Sequence, residues 1–207
     1  MAMTRGEAPV SDDPGLVWQR WDPLSETLPE ALASGDAFDA VCWAQGANLN
    51  DSLLAFDPAR HLDLYRANVV TVLQSAAALV GGGLLRRGGA RLVVVSSIWQ
   101  ERARADKLSY AVTKAAIGGL VRSAAIDLGR DGHLINGVLP GVLDTPMTRA
   151  NLRAEQITAV AERTSAGRLA DLDTLADTIL FLCSAENNAI TGQSITVDLG
   201  MCNAILL

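Results

Sequence analysis

The 207-residue chain is poor in the residues that mark several functional classes. Its three cysteines, Cys42, Cys183 and Cys202, are an odd number at wide spacing and fit neither a disulfide framework nor a thiolate metal site. Its two histidines, His61 and His133, are too few and too far apart for a His-based zinc centre. No apolar run reaches the roughly 18–20 residues of a membrane-spanning helix. Basic residues are in the minority: 17 Lys and Arg against 23 Asp and Glu leave a net charge of −6, which argues against a nucleic-acid surface. Residues 1–15 (MAMTRGEAPVSDDPG) lack the apolar core of a secretory signal and read as a flexible polar arm, so a cytoplasmic location is expected. What the chain does have is 49% hydrophobic and only 19% charged residues, enough to build one α/β domain over residues 16–207.

Strands and helices alternate along the chain. Residues 16–21 form a short strand candidate ending at Asp22-Pro23, and 28–34 a short helix closed by Gly35. Residues 38–43 (FDAVCW), 91–96 (RLVVVS) and 134–139 are apolar runs of strand length, as in strands buried on both faces. Asp57-Pro58 is a helix start signal, and the helix it opens stops near Gly81-Gly82-Gly83. Residues 110–128 read as a long helix, 155–163 and 172–184 as two more, and 193–198 as a last strand. This alternation predicts parallel βαβ units in a layered α/β fold.

The long helix opens with Tyr110-Ala-Val-Thr-Lys114. Spacing of four places the phenol and the ammonium on one helix face, a turn apart. A cation beside a phenol favours the phenolate and lowers its pKa from about 10, which suits general acid–base chemistry. Ser97 stands at the end of a buried strand, where ligands bind in open α/β sheets. Taken alone, a Tyr-x-x-x-Lys pair is weak evidence and reads first as a surface contact. The further motifs fall in order around it: Asn68 in ANVVTV, the run INGVLPGVLDTPM over 135–147, and SAGRLADLDTLADTILFLCS followed by ITGQSITVDLGM.

On these motifs, over roughly residues 16–202, the chain resembles the short-chain dehydrogenase/reductase family. The resemblance implies a Rossmann-like parallel sheet with helices on both faces, a homo-oligomer (dimer or tetramer), and NAD or NADP as cofactor. It implies oxidoreduction of a small carbonyl or alcohol substrate, the pattern looking most like 3-oxoacyl thioester reductases. Asn68, Ser97, Tyr110 and Lys114 match the family's catalytic tetrad. By that match Tyr110 exchanges a proton with the substrate oxygen, Ser97 holds that oxygen, Lys114 binds the ribose hydroxyls, and Asn68 holds a water of the proton relay. Asp22, Ala44, Gly46, Pro140, Gly141, Leu143 and Thr145 fall at cofactor-binding positions, Asp22 near the adenine and 140–145 over the carboxamide.

Three departures from the family pattern stand out. The glycine-rich turn T-G-x-x-x-G-x-G, whose bare N–H groups meet the pyrophosphate, has no counterpart: before Gly35 the glycines are Gly6 and Gly15. A βαβ unit takes roughly 30 residues, so the first two strands of the usual fold are expected to be missing. The strand at 16–21 would then lie beside that at 38–43, in the order 3-4-5-6-7 and without a switch-point crevice. Second, the family's N-N-A-G is here Trp43-Ala44-Gln45-Gly46; Trp43 is either family drift or a filler of volume left by a missing strand. Third, residues 99–108 (WQERARADKL) are charged, as a solvated loop or as a surface that meets a polar or anionic substrate. These departures keep two alternatives open: a cofactor-independent acid–base enzyme (isomerase, dehydratase or cyclase), and a catalytically degenerate scaffold.

The remaining singletons carry bland expectations. His61 is expected to be exposed, His133 to open a strand, and Cys42 and Cys183 to act as small hydrophobes. Gly118-Gly119 inside the long helix suggests a close helix–helix approach, and Trp18 and Trp21 suggest apolar surface for a partner to cover.

Overall fold

The structure is a computed structural model and describes residues 1–7, 13–145, 148–149 and 152–203. Residues 8–12 of the expected arm, and Pro146 and Met147 of the 135–147 run, lie outside the described residues.

The chain opens with two short strands, β1 (Ala2–Thr4) and β2 (Trp18–Arg20), and a single helical turn, α1 (Glu30–Ala33). Strand β3 (Ala40–Trp43) leads through a loop to α2 (Pro58–Tyr65) and α3 (Thr71–Gly81). Then come β4 (Arg91–Val95), α4 (Leu108–Gly129), β5 (Leu134–Pro140), α5 (Ala154–Ala161), α6 (Leu172–Cys183) and β6 (Ser194–Val197). Asp57 caps α2 as its sequence signal implies, accepting from the backbone N–H groups of Ala59 (2.9 Å) and Arg60 (3.3 Å) with Pro58 in the first turn.

Strands β3 to β6 form one parallel sheet in the order β3-β4-β5-β6. Its strands read as apolar runs because both faces are covered. Leu92 and Val94 of β4 and Ile135 of β5 pack with Val72 and Leu79 of α3 and Ile117 and Val121 of α4. Val93 and Val138 point the opposite way, against Leu175 and Leu182 of α6. Each fully buried aliphatic side chain of this kind contributes about 1.5–3 kcal/mol. The fold is therefore a Rossmann-like α/β sandwich, and the ends of β3, β4 and β5 open on the same side of it.

The start of the chain departs from expectation in two respects. Residues 2–4, assigned above to the loose arm, form β1 and pair in parallel with β2, with Ala2 opposite Trp18. The expected order 3-4-5-6-7 holds for its last four strands only: β2 makes no ladder with β3 and belongs instead to a separate two-stranded sheet with β1. Backbone N–H and C=O groups need partners, and β1 supplies those of β2. Trp21 is still drawn into the main core with Leu32, Val41 and Trp43. Between the small sheet and the outer edge of β3 lies a cavity of about 560 Å³, walled by residues 1–6, Trp18, Trp21 and residues 40–45.

Cys42 lines this cavity and is exposed to it, yet desolvation by the surrounding protein pushes its thiol up to about 12. Trp43 is 6% exposed and donates from Nε1 to Ser75 Oγ at 2.7 Å. Within the chain Gly118 gives room to Gln100, while a Cβ on Gly119 would meet open space.

Where β5 ends, Gly141 crosses against β6: its N–H donates to Val197 O at 3.0 Å, and a Cβ there would sit 2.8 Å from Asp198 Cβ and 3.0 Å from Asp198 Cα. Neither neighbour is the movable end of a side chain. Gly141→Ala is therefore expected to destabilise the fold by about 1–3 kcal/mol, read as a lower urea midpoint; an unchanged midpoint would show that this crossing is not tight.

Candidate active site

Five of the residues singled out from the sequence meet at the ends of β3 and β4. Lys114, 4% exposed, comes from the second turn of α4 and donates to Val95 O at 3.2 Å. Its Nζ lies 5.7 Å from the centre of the Tyr110 ring, one turn earlier on the same face. Gly46, after β3, packs against both Lys114 and Asn68: a Cβ there would stand 3.6 Å from Lys114 Nζ and 3.7 Å from Asn68 Oδ1. Ser97 follows β4 and caps the 3-10 turn Ile98–Gln100, its Oγ accepting from Trp99 N at 3.3 Å. Its hydroxyl also faces the Tyr110 phenol.

Asn68 is buried, and both its amide hydrogens are engaged within the protein. It donates to Ala47 O (3.0 Å) and Thr113 Oγ1 (3.0 Å), and its carbonyl oxygen accepts from Ala47 N (2.7 Å). It thus ties the loop after β3 to α4 and holds Gly46 against Lys114. A π turn, Arg66–Val70, joins α2 to α3 and carries Asn68; Thr71 Oγ1 donates to Arg66 O at 3.0 Å across it. Such bulges cluster at functional sites because the extra residue re-aims a side chain.

The electrostatics differ from the simple pairing argument. Burial pushes the Tyr110 phenol above its usual range, the Ser97 hydroxyl offsetting part of the effect. Burial likewise lowers Lys114 from the ordinary 10.5 to about 8. Among the described residues Lys114 has no ion-pair partner and one hydrogen-bond acceptor, which leaves N–H donors of a buried ammonium unfilled. Two adjacent hydroxyls of a ribose are the kind of ligand such donors fit. The nicotinamide end of a dinucleotide is therefore accommodated by the residues present. Its pyrophosphate end has no glycine-rich backbone cradle in this sequence.

The other expected cofactor residues are placed less centrally. Pro140 closes β5 and Gly141 crosses β6, beside the strand that leads to Ser97. Leu143 bridges to Ala170, and Thr145 Oγ1 accepts from Thr148 N at 3.1 Å, which spends it locally. Ala44 lines the cavity beside β3. Asp22 lies two residues beyond β2 and pairs with Arg5 at 3.4 Å while accepting from Leu24 N and Ser25 Oγ. His61, expected to be exposed, is half-buried with Nδ1 2.8 Å from Ser109 Oγ. His133 precedes β5, and its Nδ1 accepts from Ala90 N at 2.8 Å.

The charged segment 99–108 brings a further group beside this cluster. Lys107, three residues before Tyr110, lies with its Nζ 5.5 Å from the Tyr110 ring centre and donates to Asn48 and Asn50. Asp51 accepts from Ser109 N at 2.9 Å and from Ser109 Oγ, capping the first turn of α4 from a distant loop. The one local signal was the i, i+3 spacing of Lys107 and Tyr110.

A parallel α/β sandwich with a serine, a tyrosine and a buried lysine at its strand ends defines a class of nucleotide-dependent oxidoreductases, and comparison with known proteins agrees. Residues 21–202 match the family model described as enoyl-(acyl carrier protein) reductase. The 3-oxoacyl-[acyl-carrier-protein] reductase of Vibrio cholerae is 31% identical over 186 residues, covering 86% of this chain and 75% of the reductase. Human (3R)-3-hydroxyacyl-CoA dehydrogenase is 37% identical over 110 residues, 53% of this chain and 42% of that enzyme. The crystal structure of a gluconate 5-dehydrogenase from Burkholderia cenocepacia, in complex with NADP and tartrate, superposes with a TM-score of 0.80 at 28% identity, covering 91% of this chain and 76% of that one. The chain belongs to the short-chain dehydrogenase/reductase family.

The buried ammonium has a thermodynamic consequence. A folded-state value near 8 against an ordinary 10.5 means that the unfolded chain binds more protons between those limits, so stability rises with pH across that window. At pH 7 the penalty is fully present, about 3 kcal/mol in size. Lys114→Met is expected to raise unfolding stability at pH 7 by about 1–3 kcal/mol, with the gain shrinking toward pH 10. Urea titrations at both pH values test this; a variant less stable than wild type at pH 7 would contradict the assignment.

Proposed function

We propose that the chain is an NAD(P)-dependent carbonyl reductase, running in reverse as an alcohol dehydrogenase, with 3-oxoacyl thioesters as its first candidate substrates. The observation that carries this reading is the buried Lys114 ammonium, with unfilled donors, beside Tyr110 and against Gly46. A reduced nicotinamide supplies hydride to the carbonyl carbon when bound. Tyr110, kept neutral by its burial, donates its phenolic proton to the carbonyl oxygen, and the alcohol results. Ser97 holds the same oxygen by a hydrogen bond. Lys114 binds the ribose hydroxyls, and Asn68 keeps Gly46 and α4 in register. The identity with a 3-oxoacyl-[acyl-carrier-protein] reductase supports the substrate class, and the NADP complex of the gluconate 5-dehydrogenase supports the cofactor.

A homo-oligomer belongs to the same proposal: Leu62 on α2, with Val112 and Ile126 on α4, leaves apolar side chains exposed on the helical layer. The cofactor-independent reading is favoured by one observation, the missing glycine cradle.

A fluorescence titration with NADH and NADPH separates the two. Saturable binding below 1 mM is expected, with turnover of an acetoacetyl thioester falling about 10²–10⁴-fold in Tyr110→Phe while nucleotide affinity is kept. No nucleotide binding, together with a Tyr110-dependent isomerisation or dehydration, would transfer the site to the second reading. Turnover unaffected by Tyr110→Phe would remove both.

A further inference from the structure

Ser97 is braced on both sides along the chain. On its N-terminal side Ser96 N–H donates to Val138 O of β5 at 2.7 Å. On its C-terminal side Gln100 N–H donates to Ser97 O at 2.9 Å. The Gln100 side chain then reaches a residue 94 positions away, its Nε2 donating to Ser194 Oγ of β6 at 2.8 Å. Gly118 of α4 makes this possible, since a Cβ there would stand 2.9 Å from Gln100 Nε2. Among the described residues three side-chain polar atoms are buried without a partner, and two of them, Ser96 Oγ and Gln100 Oε1, belong to the residues that brace Ser97. A buried acceptor that makes no hydrogen bond costs stability. An unbranched apolar side chain such as methionine fills the same space without that cost, so packing alone does not ask for an amide at this position.

What the amide does is fix a direction. Its backbone bond to Ser97 and its side-chain bond to Ser194 tie the 3-10 turn Ile98–Gln100 to β6. Ser97 caps that same turn, its Oγ accepting from Trp99 N at 3.3 Å. This bond takes a lone pair and leaves the hydroxyl hydrogen for the Tyr110 phenol, which the hydroxyl faces. We propose that Gln100 is a positioning residue: anchored on Ser194 across Gly118, it sets the Ser97 turn and so keeps the Ser97 hydroxyl on the Tyr110 phenol. This rests on the reading of Ser97 and Tyr110 as the pair that meets the substrate oxygen.

The chain has two tyrosines, Tyr65 and Tyr110, so full-length protein carrying 13C at tyrosine Cζ gives two NMR signals. The Tyr110 titration is then read without turnover or nucleotide. Ser97→Ala is expected to raise the Tyr110 pKa, because the Ser97 hydroxyl lowers it in wild type. Gln100→Met removes the amide, and Gly118→Ala drives it off Ser194. Each is expected to give about half of the Ser97→Ala rise or more, and to add nothing once Ser97 is already alanine. Ser194→Ala behaves alike, while Ser194→Thr, which keeps a hydroxyl, leaves Tyr110 as in wild type. Lys107 and Lys114, the cations facing the Tyr110 ring, are unchanged in all these proteins. A Tyr110 shift without a matching loss in the urea midpoint separates positioning from general loosening. Should Gln100→Met not fold, Gly118→Ala and the two Ser194 variants carry the test.

A Tyr110 pKa that rises in Ser97→Ala but stays put in Gln100→Met and Gly118→Ala overturns the proposal and leaves the reading of the pair intact. No change in Ser97→Ala removes both. Shifts that persist in the Ser97→Ala background also overturn the proposal, since the amide then acts on Tyr110 by another route. The expected shifts in a chain that turns over no acetoacetyl thioester with NADPH keep the Gln100 assignment and remove hydride transfer.

Discussion

The structure is organised around a cation buried without an anion. Lys114 enters the strand ends from α4 with a single carbonyl acceptor, and its desolvation costs stability that no ion pair returns. Groups in that condition persist where the fold over-determines them and where function uses them. Here the over-determination is visible. Val95 O fixes the ammonium, Gly46 leaves it room, Asn68 fastens the Gly46 loop to α4, and Asp51 caps the helix that carries both Tyr110 and Lys114. Tyr110 is held by the same helix, so the acid and the cation cannot move independently.

The site divides into two unequal ends. Around Tyr110 and Lys114 the chain carries polar groups of the kind a carbonyl and a ribose require, with Lys107 adding a second positive charge 5.5 Å from the Tyr110 ring centre. Toward the outer edge of β3 lies the cavity of about 560 Å³, and among the described residues no strand ladders onto that edge.

Much of this was legible in the sequence. The buried strands β3, β4 and β5 announce themselves as uninterrupted apolar runs because both faces are covered, and α2 by its Asp57-Pro58 start. Tyr110 and Lys114 share a helix, so their spacing alone fixes their juxtaposition. What stayed hidden were contacts between distant segments. The pairing of β1 with β2 has no local signature in residues 2–4, and the π turn that aims Asn68 follows from packing and not from residue type. Lys107 meets Asn48 and Asn50 across nearly sixty residues, and its role could not be separated from that of any other charged loop residue. The pKa of Tyr110 also went the other way from the spacing argument, because burial raises it by more than the Ser97 hydrogen bond lowers it.

The central claim is that Lys114 is a desolvated cation awaiting ribose hydroxyls. Its side-chain pKa, followed by NMR on selectively labelled protein, tests that directly, first in the free chain and then with saturating NADPH. The account predicts a value near 8 in the free protein, rising when hydroxyl acceptors and the nucleotide's negative charge arrive. A value near the ordinary 10.5 that NADPH leaves unmoved would contradict it.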